Sequence, residues 1–149
     1  MNNIIAAAAT AAVVVGWSAG AVAAPALVEV GMANDADGKQ EMILSRTIVP
    51  SGDVQFKVKN QSKNLVHEFL VVKSSTRPEA FPMTTDGTRI DEDKLKDIKE
   101  LGDLKPGESG EMTMTLTPGR YVLFCNQPGH FMAGMEATLT VLPTLTVLP

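Results

Sequence analysis

The stretch from Cys125 to Met135 constrains this chain more than any other. It holds the only cysteine, one of the two histidines and a methionine, in the pattern Cys-x4-His-x4-Met. Thiolate, imidazole and thioether are the donors that soft and borderline metals choose, copper above all. Pro128 and Gly129 stand directly before His130 and suit a tight loop. The second histidine, His67, lies within the apolar run Leu65-Val-His-Glu-Phe-Leu-Val-Val72. One thiol, two imidazoles and one thioether make a complete mononuclear copper set, with Met132 competing with Met135 for the fourth place. The fold therefore has to bring a loop and a distant strand together.

The rest of the chain reads as short strands. Leu27 to Met32 is a first strand, and Asn34-Asp-Ala-Asp-Gly-Lys39 a turn. Met42 to Val49 is one apolar run closed by Pro50-Ser-Gly52. Asp53 to Lys59 alternates without error, which directs Val54, Phe56 and Val58 to a core and Lys57 and Lys59 to water. Asn60 to Asn64 turns the chain into the His67 strand. Between Lys73 and Gly110 the alternation lapses, and Asp91 to Leu101 is the one helix candidate. Asp91 stands at its N-cap, Leu95, Ile98 and Leu101 lie on one side, and Gly102 closes it. Glu111 to Leu116 is a strand whose Met112 and Met114 read as core packing. Tyr121 to Cys125 and Glu136 to Leu142 are the last strands, with Leu139 and Val141 inward. Leu116-Thr-Pro-Gly-Arg-Tyr121 resembles the tyrosine corner of Greek-key sandwiches. The expected fold is all-β, a Greek-key β-sandwich of about seven to eight strands with one short helical insertion.

A chain of 149 residues is one domain's worth, long enough to bury a core. Its net charge of −4 and lack of a basic cluster argue against a nucleic-acid partner. Residues 1–23 read as an export signal: Ile4 to Val15 is apolar, Gly16 to Gly20 breaks the run, and Ala21-Val-Ala23 offers small-x-small cleavage. No Lys or Arg precedes the apolar run, so an uncleaved anchor is the alternative. Cleavage would leave no stable membrane insertion and place the protein in the periplasm or otherwise outside the cytoplasm. Metal ligation would protect a lone thiol there from oxidation. Residues 24–143 then form the copper domain. Residues 144–149 repeat Thr138-Leu-Thr-Val-Leu-Pro143 letter for letter, and the last strand needs only the first copy.

The ligand loop resembles the cupredoxins, the small blue-copper proteins that include plastocyanin, azurin and auracyanin. Cys125 to His130 is azurin-like (Cys-x-x-Pro-Gly-His), and His130-x-x-Ala133-Gly134-Met135 is plastocyanin-like. The resemblance runs from about Asp53 to Leu142. It implies a cupredoxin sandwich holding one type 1 copper ion on His67, Cys125 and His130, with Met135 rather than Met132 as the weak axial donor. One departure bears on the reduction potential: cupredoxins often carry Asn or Ser after the first histidine, where this chain has Glu68.

The resemblance implies a non-enzymatic, monomeric, one-electron carrier between redox proteins that dock near His130, against Phe131 and Met132. The alternative is copper sequestration or delivery outside the cytoplasm, where extra methionines would help. A copper enzyme fits less well, because both histidines are used at one centre. A metal-free adhesive sandwich explains the donor set least.

Overall fold

The computed structural model describes residues 24–144. The expected export signal, and all of the repeated tail after Thr144, lie outside the described residues. Among the described residues, nine strands form two sheets. The first sheet contains β1 (Ala26–Asn34), β2 (Gln40–Leu44), β4 (Gly52–Asn60) and β7 (Ser109–Leu116), in the order β2-β1-β4-β7. The second contains β3 (Ile48–Pro50), β5 (His67–Lys73), β6 (Lys99–Leu104), β8 (Gly119–Phe124) and β9 (Glu136–Leu142), in the order β3-β9-β8-β5-β6. The β1–β4 and β3–β9 pairs are parallel, and the other pairs are antiparallel. Among the described residues, no helix is long and apolar enough to cross a membrane.

The inner faces meet as the alternation in β4 requires. Val54, Phe56 and Val58 are buried with Val28, Val30 and Met32 of β1, while Lys57 and Lys59 are exposed. From the other sheet, Phe69, Val71, Tyr121, Leu123, Leu139 and Val141 complete this core, and Met112 and Met114 pack against its edge. The tyrosine corner forms: Tyr121 Oη donates to the Thr117 carbonyl (3.0 Å) and accepts from the Thr117 N–H (3.1 Å).

β5 and β8 do not alternate, because both of their faces are covered. Leu70, Val72, Val122 and Phe124 point away from the main core into a second cluster with Phe81 and Ile90. Those two residues belong to the segment between β5 and β6, which lies over the outer face of the second sheet. The apolar continuity around His67 is thus the signature of a strand sandwiched on both sides.

Two expectations are corrected. Asp91 to Leu101 is not a helix: a single 3-10 turn spans Glu92–Lys94, and Lys99–Leu104 is strand β6. Asp91 makes no side-chain cap and instead pairs with Lys94 at 2.6 Å. Leu95 and Ile98 pack into the second cluster, whereas Leu101 packs into the first. Asp97 takes a left-handed φ of 55°, which ends any helix there. A helix of this length is marginal alone, and the unpaired edge of β5 offers ladder hydrogen bonds instead. The run Met42 to Val49 also divides. β2 and β3 fall in different sheets, so the segment between them crosses from one layer to the other.

Candidate metal centre

His67 is the first residue of β5, and Cys125 directly follows β8. From Cys125 the chain leaves the sheet, winds through a compact loop and returns at β9. The Cys125 N–H donates to the Met135 carbonyl (3.0 Å), closing the neck of the loop. Within it, the N–H groups of Ala133, Gly134 and Met135 bond back to Gly129, His130 and Phe131. Gly129 turns the chain with a φ of 81°. Gly134 has a φ of 102°, and a Cβ there would lie 2.8 Å from the Gln40 carbonyl. Glycine is required there on both counts.

The loop and β5 together bring three donors to one point. Sγ of Cys125 lies 3.8 Å from Nδ1 of His67 and 3.4 Å from Nδ1 of His130, and the two Nδ1 atoms are 3.2 Å apart. A point equidistant from the three is about 2.0 Å from each, close to the ~2.0–2.3 Å that nitrogen and sulfur ligands keep from a first-row ion. Cys125, His67 and Met135 are fully buried, and His130 is half-buried. The donor set and its spacing both fit one copper ion.

Buried polar neighbours hold the donors. Nε2 of His67 is 2.6 Å from Oγ of Ser62, and with the ring nitrogen as donor Nδ1 is left bare for a metal. Ser62 is itself placed by Asn60, whose Oδ1 accepts the Ser62 N–H (2.9 Å). The Asn60 amide donates to the carbonyls of Leu65 and Leu104, both at 2.8 Å. On the other side, the amide oxygen of Asn126 accepts the Ile90 N–H (2.7 Å). Its Nδ2 donates to the Ile90 carbonyl (3.1 Å) and to a Glu92 carboxylate oxygen (2.6 Å). The Gly129 N–H donates to the Thr88 carbonyl (2.8 Å). The segment between β5 and β6 therefore braces the ligand loop as well as covering the sheet.

Sequence reasoning did not single out Asn60, Ser62, Thr88 or Asn126 for this work. Their side chains carry ordinary turn chemistry, and their importance comes from partners elsewhere in the chain.

Charge is disfavoured throughout the centre. Burial, and then the neighbouring His130, lower the pKa of His67 to about 4. Burial also lowers that of His130. Burial pushes the Cys125 thiol up to about 11, against the opposing effect of the Glu68 and Gln127 N–H groups that donate to sulfur. The Glu68 donor is 3.2 Å from Sγ. The Glu68 carboxyl is pushed up to about 7, first by burial, then by Glu100, Glu92 and Asp103, with Arg89 opposing. Its Oε2 is buried without a partner.

Around His130 the loop is uncharged, with Pro128, Gly129 and Met132 exposed. Phe131 turns partly inward. It stacks on Phe81 (ring centroids 6.2 Å apart) and meets Phe124 edge-on (5.8 Å). The exposed apolar contribution to the rim therefore falls to Met132 and Pro128.

The comparisons agree with this geometry. The family model "Copper binding proteins, plastocyanin/azurin family" matches residues 31–142. The chain belongs to this copper-binding family, the cupredoxins. It is 54% identical over 41 residues to auracyanin-B of Chloroflexus aurantiacus, a match covering 27% of this chain and 17% of that protein. It is 49% identical over 41 residues to the copper-resistant cuproprotein CopI of Pseudomonas aeruginosa, covering 27% of this chain and 23% of that protein. These matches span less than a quarter of either relative's length. The fold is similar to that of the dithionite-reduced auracyanin of Roseiflexus castenholzii, with a TM-score of 0.55 and 23% identity over 82% of this chain and all of that one.

The opposing shifts at His67 and Glu68 yield a prediction for the metal-free protein. A lowered histidine pKa means that the unfolded chain takes up the proton first, so His67 removes stability as pH falls from about 6.5 towards about 4. Glu68, with its raised pKa, acts the other way: it contributes stability below its ordinary value, and loses it as pH rises through about 7. The two effects offset each other between roughly pH 4.5 and 6.5. In urea titrations, Glu68→Gln should gain stability over wild type progressively as pH rises through this range, and should lose stability more steeply on acidification. A difference between the two proteins that does not vary with pH would show that Glu68 is not the compensating group.

Proposed function

We propose that the chain is an exported one-electron carrier whose copper is held by Nδ1 of His67, Sγ of Cys125 and Nδ1 of His130, with Met135 as the axial thioether. The observation that carries this reading is the triangle of donors, preset at metal-binding distance in a buried, braced pocket while one imidazole reaches towards the surface. Bound copper supplies the Cu(II)/Cu(I) couple. The chain's residues supply everything else. Ser62 keeps the His67 ring oriented, and the N–H groups of Glu68 and Gln127 stabilise negative charge on sulfur. Asn60 and Asn126 keep the two supporting loops from relaxing, so little has to move when an electron arrives. Ligation also requires Cys125 to give up its proton, which makes metal uptake release a proton and favours higher pH.

The similarity to the copper-resistant protein supports a second reading, copper sequestration or delivery. The family and the half-exposed His130 edge favour the carrier. Export rests on residues 1–23, and mass spectrometry of the native protein should find a mature chain beginning at Ala24. Retention of Met1 in a membrane fraction would favour an anchor.

The ligand assignment makes distinct spectroscopic demands. Cys125→Ser should abolish the intense visible charge-transfer band while the fold survives. Met135→Leu should keep the colour and raise the reduction potential, because loss of the thioether favours the lower-coordinate Cu(I) state. A coloured serine variant would remove Cys125 from the centre.

Carrier and store differ at the rim. Partners docking against the uncharged surface around His130 should be hindered by Met132→Lys. Its colour and thermal stability should match wild type, while electron self-exchange slows by about tenfold or more. Unaltered exchange would place docking elsewhere.

A further inference from the structure

A second group of soft donors lies outside the triangle of His67, Cys125 and His130. A cleft of about 400 Å³ is lined by Glu79, Phe81, Met83, Phe131, Met132 and Glu136, among others. Met83 comes from the segment between β5 and β6, where it bridges to Ile90. Met132 comes from the ligand loop. The bond from the Gly129 N–H to the Thr88 carbonyl ties these two segments together, so the two thioethers approach the cleft from a fixed frame.

Packing accounts for Met83, which sits against the second apolar cluster, but not for Met132, which is 68% exposed. Neither Glu79 nor Glu136 forms an ion pair among the described residues. Arg120, the cation nearest in effect to Glu136, has its guanidinium 3.3 Å from Thr138 Oγ1.

The donor chemistry selects the cation. Mg²⁺ and Ca²⁺ need more oxygens than two carboxylates supply, and have no use for sulfur. Two thioethers with a carboxylate suit a soft, monovalent ion that tolerates low coordination. The parallel rings of Phe81 and Phe131 add apolar walls whose faces attract cations.

We propose that this cleft binds a second Cu(I) ion through the thioethers of Met83 and Met132, with Glu79 and Glu136 supplying the compensating charge. The site goes beyond the electron-carrier reading and stands whether or not that reading holds. Because Met132 belongs to the loop that carries His130, the cleft would hold a cation against that loop.

The test uses the full protein, already copper-loaded and reduced, labelled with ¹³C at the methionine methyl groups. Cu(I) is added anaerobically against a competing chelator, and Ag(I) serves as a parallel probe. Binding of two Cu(I) per chain is expected. The methyl signals of Met83 and Met132 should shift with the second equivalent, while those of Met32, Met42, Met112 and Met114 stay in place. Met83→Leu combined with Met132→Leu should lower the stoichiometry to one and leave the visible spectrum of the oxidised protein intact. No second equivalent, or a second equivalent retained by the double variant, would overturn the proposal. The methyl shifts also report on the cleft if the Cys125 centre binds no copper, so failure of one site is distinguishable from failure of the other.

Discussion

Two imidazoles and a thiol converge in a pocket from which water is largely excluded, and that convergence is the constraint on which the rest of this structure depends. Burial penalises every charged form these groups can take, as the lowered histidines and the raised thiol show. Each donor must therefore be fixed by something other than its own solvation. Ser62 fixes one ring, the Glu68 and Gln127 N–H groups face the sulfur, and the wound loop sets the other ring. The metal-free pocket is thus a concentration of lone pairs, and a cation satisfies it.

That demand accounts for features of the fold distant from the centre. Asn60 ties the end of β4 to β6 and to the approach into β5, so the strand bearing His67 and the turn bearing Ser62 are fastened to one another. Asn126 and Gly129 tie the ligand loop to the segment that covers β5 and β8. Burial of Ile90 and Phe81, which belong to that segment, against the second sheet is therefore also mechanical support for the loop. The second sheet is covered on both faces in the region where the ligands leave it.

The surface is divided to match. The loop around His130 is uncharged and exposes Met132. On the β5–β6 side, Glu100, Glu92 and Asp103 lie close enough to raise the cost of charging Glu68. Glu68 stands at the boundary, with its N–H on the sulfur and its carboxyl half-buried. It is the side chain best placed to make the properties of the centre depend on pH.

The sequence by itself determined which soft donors the chain can offer and the strands whose faces are simple. Ligand chemistry resides in residue type, and Cys125, His130 and Met135 lie on one short loop whose turns Pro128, Gly129 and Gly134 dictate. The alternation of β4 was legible because one face meets the core and the other meets water. Only the tertiary structure decided the fate of Asp91 to Leu101, where helical spacing yielded to a strand edge that local pattern does not encode. It likewise decided the division of Met42 to Val49 between two sheets. It also chose the supporting residues: Asn60 reaches a carbonyl 44 residues away, and Asn126 one 36 residues away. A polar side chain in a turn looks the same whether it meets water or a buried carbonyl. The difference is set by which segments the fold places beside it, and that is a property of long-range packing rather than of neighbouring letters.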